Sequence, residues 1–285
     1  GLGVALYFAW QTLIPKAAEA VAHRIPRDAE KSLGTIALQG LDRWLLKTSR
    51  LEAAEMWSVR RLFDELADKA GLADTVVLQF RDTAPNALAL PGGTIVVTDG
   101  LVKLFRSDER LLAAVIAHEL GHIQHRHSLR HLLEGSASAL IVGALVGDVS
   151  GVSALTVNAP ILLSTLHYTR ESEREADQYA FDLLRRSGRS PKDFADAMRR
   201  FDAMELCIAL RTKYRDDALK QAQGSVDRSD EPAARARISD SCTDNPEKAL
   251  EGRDSELADL RRQDRETGYM HTHPVTRERI AAAEA

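Results

Sequence analysis

The sequence predicts a mainly α-helical fold with one small antiparallel β-sheet, an α+β arrangement, and three observations carry that prediction. Apolar residues recur at helical spacing through Asp28 to Lys47 and Glu52 to Lys69, with charges between them. Three short β-prone runs, Thr75 to Phe80, Asn86 to Leu90 and Thr94 to Thr98, lie close together in the chain. Helical periodicity then resumes and dominates the rest.

Taken in order, Gly71 closes the second helix in the usual C-terminal manner. Pro91-Gly92-Gly93 is a turn signal that folds the last two β-runs into a hairpin. Ser107, followed by Asp108-Glu109, is the expected cap of a helix running through Leu111 to about His127. From Gly135 to Leu166 the chain is almost uncharged, with Asp148 the exception and Pro160 an interruption. Its later part, Val149 to Tyr168, reads as a buried or lid-like segment. Helix is expected from Ile161 to Arg186, ending at Gly188, and again from Pro191 towards Met204. Residues 205–266 are charge-laced and alanine-rich, as solvated helical hairpins would be, and a short helix follows Pro274.

At 285 residues and 44% hydrophobic content the chain can bury a sizeable core. A net charge of -4, with no dense Lys/Arg stripe, argues against a nucleic-acid partner. The organisation expected is a membrane-anchoring or membrane-associated helix at 1–22, a main domain at 23–204, a charged helical insertion at 205–266 that covers a cleft, and a C-terminal motif at 267–285. The first segment, Gly1 to Pro15, carries no charge and reads as the tail of a longer apolar helix, with Tyr7 and Trp10 suited to a membrane interface. Cys207 and Cys242, 35 positions apart, form either one disulfide or two thiols. Lys16, Arg24, Arg27 and Lys31 lean towards a cytoplasmic side and a disulfide towards a periplasmic one; the periplasmic side is the expectation adopted.

The chemistry concentrates in His118-Glu119-Leu120-Gly121-His122. On a helix, residues four apart lie roughly 40° apart around the axis and about 6 Å along it. Both imidazoles can then reach one Zn²⁺, with Glu119 at the rim to take a proton from water. The motif follows the apolar run Leu111 to Ala117, where burying three polar groups is costly unless a metal or partners satisfy them. A third ligand is still needed. Ser128 stands where a further histidine would complete one known solution, so a carboxylate from Thr169 to Asp177 is the alternative. Spacing does not choose among Glu171, Glu173 and Glu175, although Glu173 has Asp177 four residues on along the same face, placed to fix a ligand histidine's tautomer. Arg126, His125, His127 and His131 read as surface groups or as supports for the ligands.

Together, His118-Glu119-x-Gly121-His122-x-x-x-Arg126-His127, Arg170-x-x-Glu173-x-x-Ala176-Asp177, Asn86 to Thr98, and His273-Pro274 with Arg279-Ile280 resemble the gluzincin-type peptidases that include the HtpX heat-shock proteases and the CaaX prenyl proteases. The resemblance covers roughly residues 50–204 and 268–285. It implies a zincin-like fold, one zinc ion held by His118, His122 and Glu173, a catalytic Glu119, and Asp177 behind the ligands. It further implies that His273 and Arg279 face the metal, holding an oxyanion or gating the site, with Tyr269 a spare donor. Asn86, Ala87, Leu88 and Ala89 would form a strand edge to which an extended polypeptide adds by main-chain hydrogen bonds. The expected reaction is zinc-dependent endoproteolysis of unfolded or misassembled membrane and envelope proteins, at a bacterial inner membrane. The competing expectation is a zinc-bearing chaperone or adaptor that holds extended chains and seldom cuts them.

Overall fold

The structure, a computed structural model, describes residues 13–106, 108–135, 168–221, 242–243, 246–253, 257, 260, 273 and 277–285. Most of the expected apolar leader (1–12), the uncharged segment 136–167 and Tyr269 lie outside the described residues, as does Ser107.

After a helical stretch at 13–22, α1 (Arg27–Trp44) begins behind Pro26, with Asp28 and Glu30 in its first turn, where acidic groups meet the positive end of the helix. α1 lies across the Pro91–Gly93 turn. Gly92 there has φ 76°, and a Cβ on it would stand 2.4 Å from Lys31 Cα, so only glycine fits. α2 (Ala53–Ala70) starts with a Glu52/Glu55 capping box and ends at Gly71, φ 70°.

The sheet consists of β1 (Lys47–Thr48), β2 (Val77–Asp82), β3 (Ala87–Ala89) and β4 (Thr94–Thr98) in the order β1-β2-β4-β3. It is mixed rather than wholly antiparallel. β3 and β4 form the expected hairpin, with Ala87 opposite Val97 and Ala89 opposite Ile95, but β2 and β4 run parallel. The reason is readable in β4. Ile95, Val96 and Val97 are successive residues with no exposure, so both faces of that strand need cover. A central position provides it, leaving three-residue β3 at the edge.

α3 (Asp99–Leu104) is capped by Thr98, and α4 (Glu109–Gln124) by Asp108. Every residue of α4 from Leu111 to Ile123 is buried, as an all-round apolar helix requires. α5 (Arg170–Arg186) turns Glu173, Ala176, Asp177, Ala180 and Phe181 inward, so two carboxylates share its apolar face. α6 (Lys192–Gln221) does not stop near Met204. Its buried stripe continues through Met204, Leu206, Cys207 and Leu210, which meets Leu257 and Leu260, so the start of the charged stretch belongs to the packed interior. Short helices α7 (Pro246–Leu250) and α8 (Arg277–Glu284) pack on α6.

Cys207 and Cys242 are joined, with Cα atoms 5.8 Å apart, and both are buried in the main core. Among the described residues no helix is long and apolar enough to cross a membrane.

Candidate metal centre

Among the described residues α4 and α5 make the most extensive helix contact, and the centre lies between them. His118 Nε2 and His122 Nε2 are 2.9 Å apart. Glu173 places Oε2 3.6 Å from the first and Oε1 3.5 Å from the second. His273 adds Nδ1, 3.2 Å from His118 Nε2 and 3.0 Å from Glu173 Oε1. All four side chains are buried. A tetrahedral ion with bonds of ~2.0–2.1 Å holds its donors about 3.3–3.4 Å apart, which these separations bracket.

The outer ring nitrogens explain why the inner ones face each other. His118 Nδ1 lies 3.0 Å from Asp177 Oδ1, and His122 Nδ1 lies 2.9 Å from His127 Nδ1. In the tautomers that direct both protons outward to Asp177 and His127, two lone pairs oppose each other across 2.9 Å beside a carboxylate. That arrangement is repulsive until a cation sits among them, and imidazole with carboxylate is a donor set zinc accepts. The residues fit the ion.

Arg279 on α8 supports the carboxylates. Its Nε and Nη2 donate to Asp177 at 2.7 and 2.8 Å, and its Nη1 lies 2.6 Å from Glu173 Oε2. Burial works against both anions. At Asp177 the charge of Arg279 and hydrogen bonds from His118 and Arg279 overcome it, bringing the carboxyl down to about 2. At Glu173 the charges of His273 and Arg279 hold the carboxyl below its ordinary value despite burial. Burial, with the neighbouring histidines, drives His122 well below the ordinary histidine range and keeps its ring neutral.

Glu119 is fully buried, its carboxylate oxygens meet no hydrogen-bond partner among the described residues, and His273 Nε2 stands 3.5 Å away. Burial lifts its carboxyl to about 7. Edge strand β3 runs beside α4. Asn86 Oδ1 accepts from the Ala87 amide at 2.9 Å, and Ala87 and Ala89 are buried while Leu88 is half-buried. The Ala89 carbonyl accepts from the Ser128 hydroxyl, itself 2.9 Å from the Tyr168 hydroxyl.

The structure thus gathers His118, Glu119, His122, Glu173, Asp177, His273 and Arg279 into one buried cluster, with Ala87 to Ala89 on the strand alongside and Asn86 just before it. Glu171 lies in the exposed first turn of α5, and Glu175 pairs with His127 rather than with the centre. Sequence reasoning gave Tyr168 no role, yet its ring stacks on His122, centroids 4.0 Å apart. Arg126 is no free surface charge. It binds Glu30 at 2.6 Å and the Ile25 carbonyl at 2.9 Å, tying the start of α1 to the end of α4. Its partner carries no local pattern, and only the adjacency of Arg126-His127 to the histidine motif hinted at either contact.

In sequence the chain is similar to known metallopeptidases. The chain is 32% identical over 152 residues to mitochondrial metalloendopeptidase OMA1 of Schizosaccharomyces pombe, covering 52% of this chain and 44% of that one. It is 33% identical over 117 residues to the beta-barrel assembly-enhancing protease of Escherichia coli, covering 38% and 24%. It is 31% identical over 130 residues to metalloprotease LoiP of Escherichia coli, covering 42% and 48%. The matches span less than half the length of each of these relatives. The sequence model of peptidase family M48 matches residues 53–285, and with the buried histidine and glutamate cluster in place the chain belongs to that family of zinc metallopeptidases.

Proposed function

We propose that the chain is an endopeptidase cutting unfolded or misassembled membrane and envelope proteins, with His118, His122 and Glu173 as zinc ligands and Glu119 as the proton carrier. The observation that supports this reading most is the convergence of two imidazoles from α4 and one carboxylate from α5, with an unpartnered buried carboxylate beside them. When bound, zinc supplies Lewis acidity, which makes water a usable nucleophile at neutral pH and polarises a carbonyl. Glu119 takes a proton from the attacking water and returns it to the leaving amine nitrogen. A carboxyl near 7 suits both transfers. Asp177 fixes the His118 ring through Nδ1, and Arg279 keeps Asp177 and Glu173 ionised.

An extended substrate aligns along β3, the edge strand of the sheet, by displacing the contacts that Asn86 and Ser128 make to Ala87 and Ala89. That mode admits unfolded segments and rejects compact domains. The name of the beta-barrel assembly-enhancing relative favours envelope substrates, and the uncharged Gly1 to Pro15 favours membrane association. The Cys207–Cys242 bond favours the oxidising, periplasmic side of a bacterial inner membrane.

A second reading, a holding adaptor with little cleavage, draws on two contacts. His273 Nδ1 sits among the ligand atoms, and the Ala89 carbonyl is already engaged by Ser128. We take these as a closed resting conformation of the peptidase. Casein digestion by the wild type and Glu119→Gln, with zinc measured on both, separates the readings. Cleavage lost while zinc is retained supports the peptidase, and absence of cleavage by either protein supports the adaptor.

A further inference from the structure

His127 stands five residues after His122, and on a continuous helix it would point roughly 140° away from it and about 7.5 Å further along. It does not, because α4 ends at Gln124 and Arg126 takes a left-handed φ of 55°. The chain doubles back and lays the buried His127 ring against His122, Nδ1 to Nδ1 at 2.9 Å. Arg126, gripped by Glu30 and by the Ile25 carbonyl, holds that turn in place.

The protons along this contact are set by its ends. His122 Nε2 faces His118 Nε2 and Glu173, so its lone pair points inward and its proton sits on Nδ1. His127 Nδ1 therefore accepts, and its own proton sits on Nε2, 2.8 Å from Glu175 Oε2. Glu175 in turn lies 3.3 Å from Arg130 Nη1.

We propose that His127 is a positioning residue for the metal centre, accepting the His122 Nδ1 proton and relaying the pull of Glu175 so that His122 Nε2 is oriented and more basic towards the ion. The inference rests on the reading of His122 as a ligand. Each ligand imidazole is then backed by a chain ending in arginine. One runs His118–Asp177–Arg279; the other runs His122–His127–Glu175–Arg130, with an imidazole spacer. The spacer carries the support from the interior to a carboxylate that is 37% exposed, linking the centre to the protein surface.

Chelator competition for zinc tests this on full-length wild type, His122→Ala, His127→Ala, His127→Asn and Glu175→Gln. Support lost behind a ligand histidine weakens metal binding about 10–100-fold, and that loss is expected for His127→Ala. His127→Asn, whose Oδ1 replaces Nδ1 as acceptor, is expected to recover most of it, with Glu175→Gln in between. A merely structural role would make alanine and asparagine lose alike, in step with the melting temperature of the metal-free protein. Nitrogen-15 histidine spectra of zinc-loaded Glu119→Gln protein should put the His122 proton on Nδ1 and the His127 proton on Nε2, a readout that stands even where His127→Ala does not fold. Wild-type zinc affinity in His127→Ala, or a His127 proton on Nδ1, overturns the proposal. If His122→Ala itself keeps wild-type affinity, the ligand assignment falls; if only His122→Ala loses zinc, this inference alone falls.

Discussion

Gly121 on α4 and Ala176 on α5 meet backbone to backbone: a Cβ on Gly121 would stand 2.9 Å from both Cα and the carbonyl oxygen of Ala176. This approach lets Glu173, one turn earlier on α5, reach both histidines. Gly121→Ala therefore has no flexible neighbour to displace and must push the helices apart. Overpacking of this kind costs about 1–3 kcal/mol, and the displaced Glu173 should lower zinc affinity as well. Thermal unfolding and zinc titration check it; a variant matching wild type in both would refute the argument.

Asp177 and Arg279 predict a pH signature. The Asp177 carboxyl, at about 2, lies below its ordinary 3.8. A depressed carboxyl stabilises the fold above the unfolded value, and that contribution is lost as pH falls through the folded one. The shift corresponds to about 2 kcal/mol. In metal-free protein, Asp177→Asn should be less stable than wild type by about that amount near neutrality. The gap should close between about pH 4 and pH 2. A gap that persists at the acid end would show that the charge is not what matters. Arg279→Ala should cost more, about 3–5 kcal/mol, because it strands two buried carboxylates.

Local periodicity and short motifs carried much of this structure in the sequence. The helices around Glu52 to Lys69 and Leu111 to His122 follow from apolar spacing and caps, and the histidine motif announces its own chemistry. What stayed hidden depended on tertiary pairing. The parallel β2–β4 contact was concealed because a hairpin signal covers only adjacent strands, although the apolar run Ile95-Val96-Val97 hinted at a central strand. The continuation of α6 beyond Met204 was masked by alanine and charge on its outer face. The pairing of Glu30 with Arg126 spans 96 positions with no periodic trace, and the fold of His127 onto His122 turns on one backbone angle.

The Cys207–Cys242 bond closes a separation of 35 residues. Loop-closure entropy for that length gives about 3–4 kcal/mol. Because both sulfurs lie in the main core, the double variant Cys207→Ser/Cys242→Ser also buries two hydroxyls among apolar side chains. A fall in melting temperature of at least several degrees is expected, with zinc binding retained at low temperature, since neither cysteine is among the residues grouped at the centre. Mass spectrometry of unreduced wild type checks the bond itself, and free thiols there would remove the support for an oxidising compartment.

If His118, His122 and Glu173 hold zinc as proposed, His273 bears on whether the centre is open. A catalytic zinc keeps three protein donors and leaves one position for water, whereas four protein donors make a closed, structural type of site. His273 Nδ1, 3.0–3.2 Å from Glu173 and His118, lies where it would fill the fourth position from within the chain. On the proposed reading cleavage would require His273 to withdraw, and removing the imidazole should favour the competent state. His273→Ala is expected to digest casein on the order of 10-fold faster, a shift of about 1.4 kcal/mol in favour of the open site. Zinc should be retained by His118, His122 and Glu173. A donor stabilising the developing negative charge would give the opposite result, with kcat falling while zinc content held, because an oxyanion donor is worth most in the transition state. Faster cleavage identifies His273 as the gate, and slower cleavage with zinc intact assigns it to the chemistry.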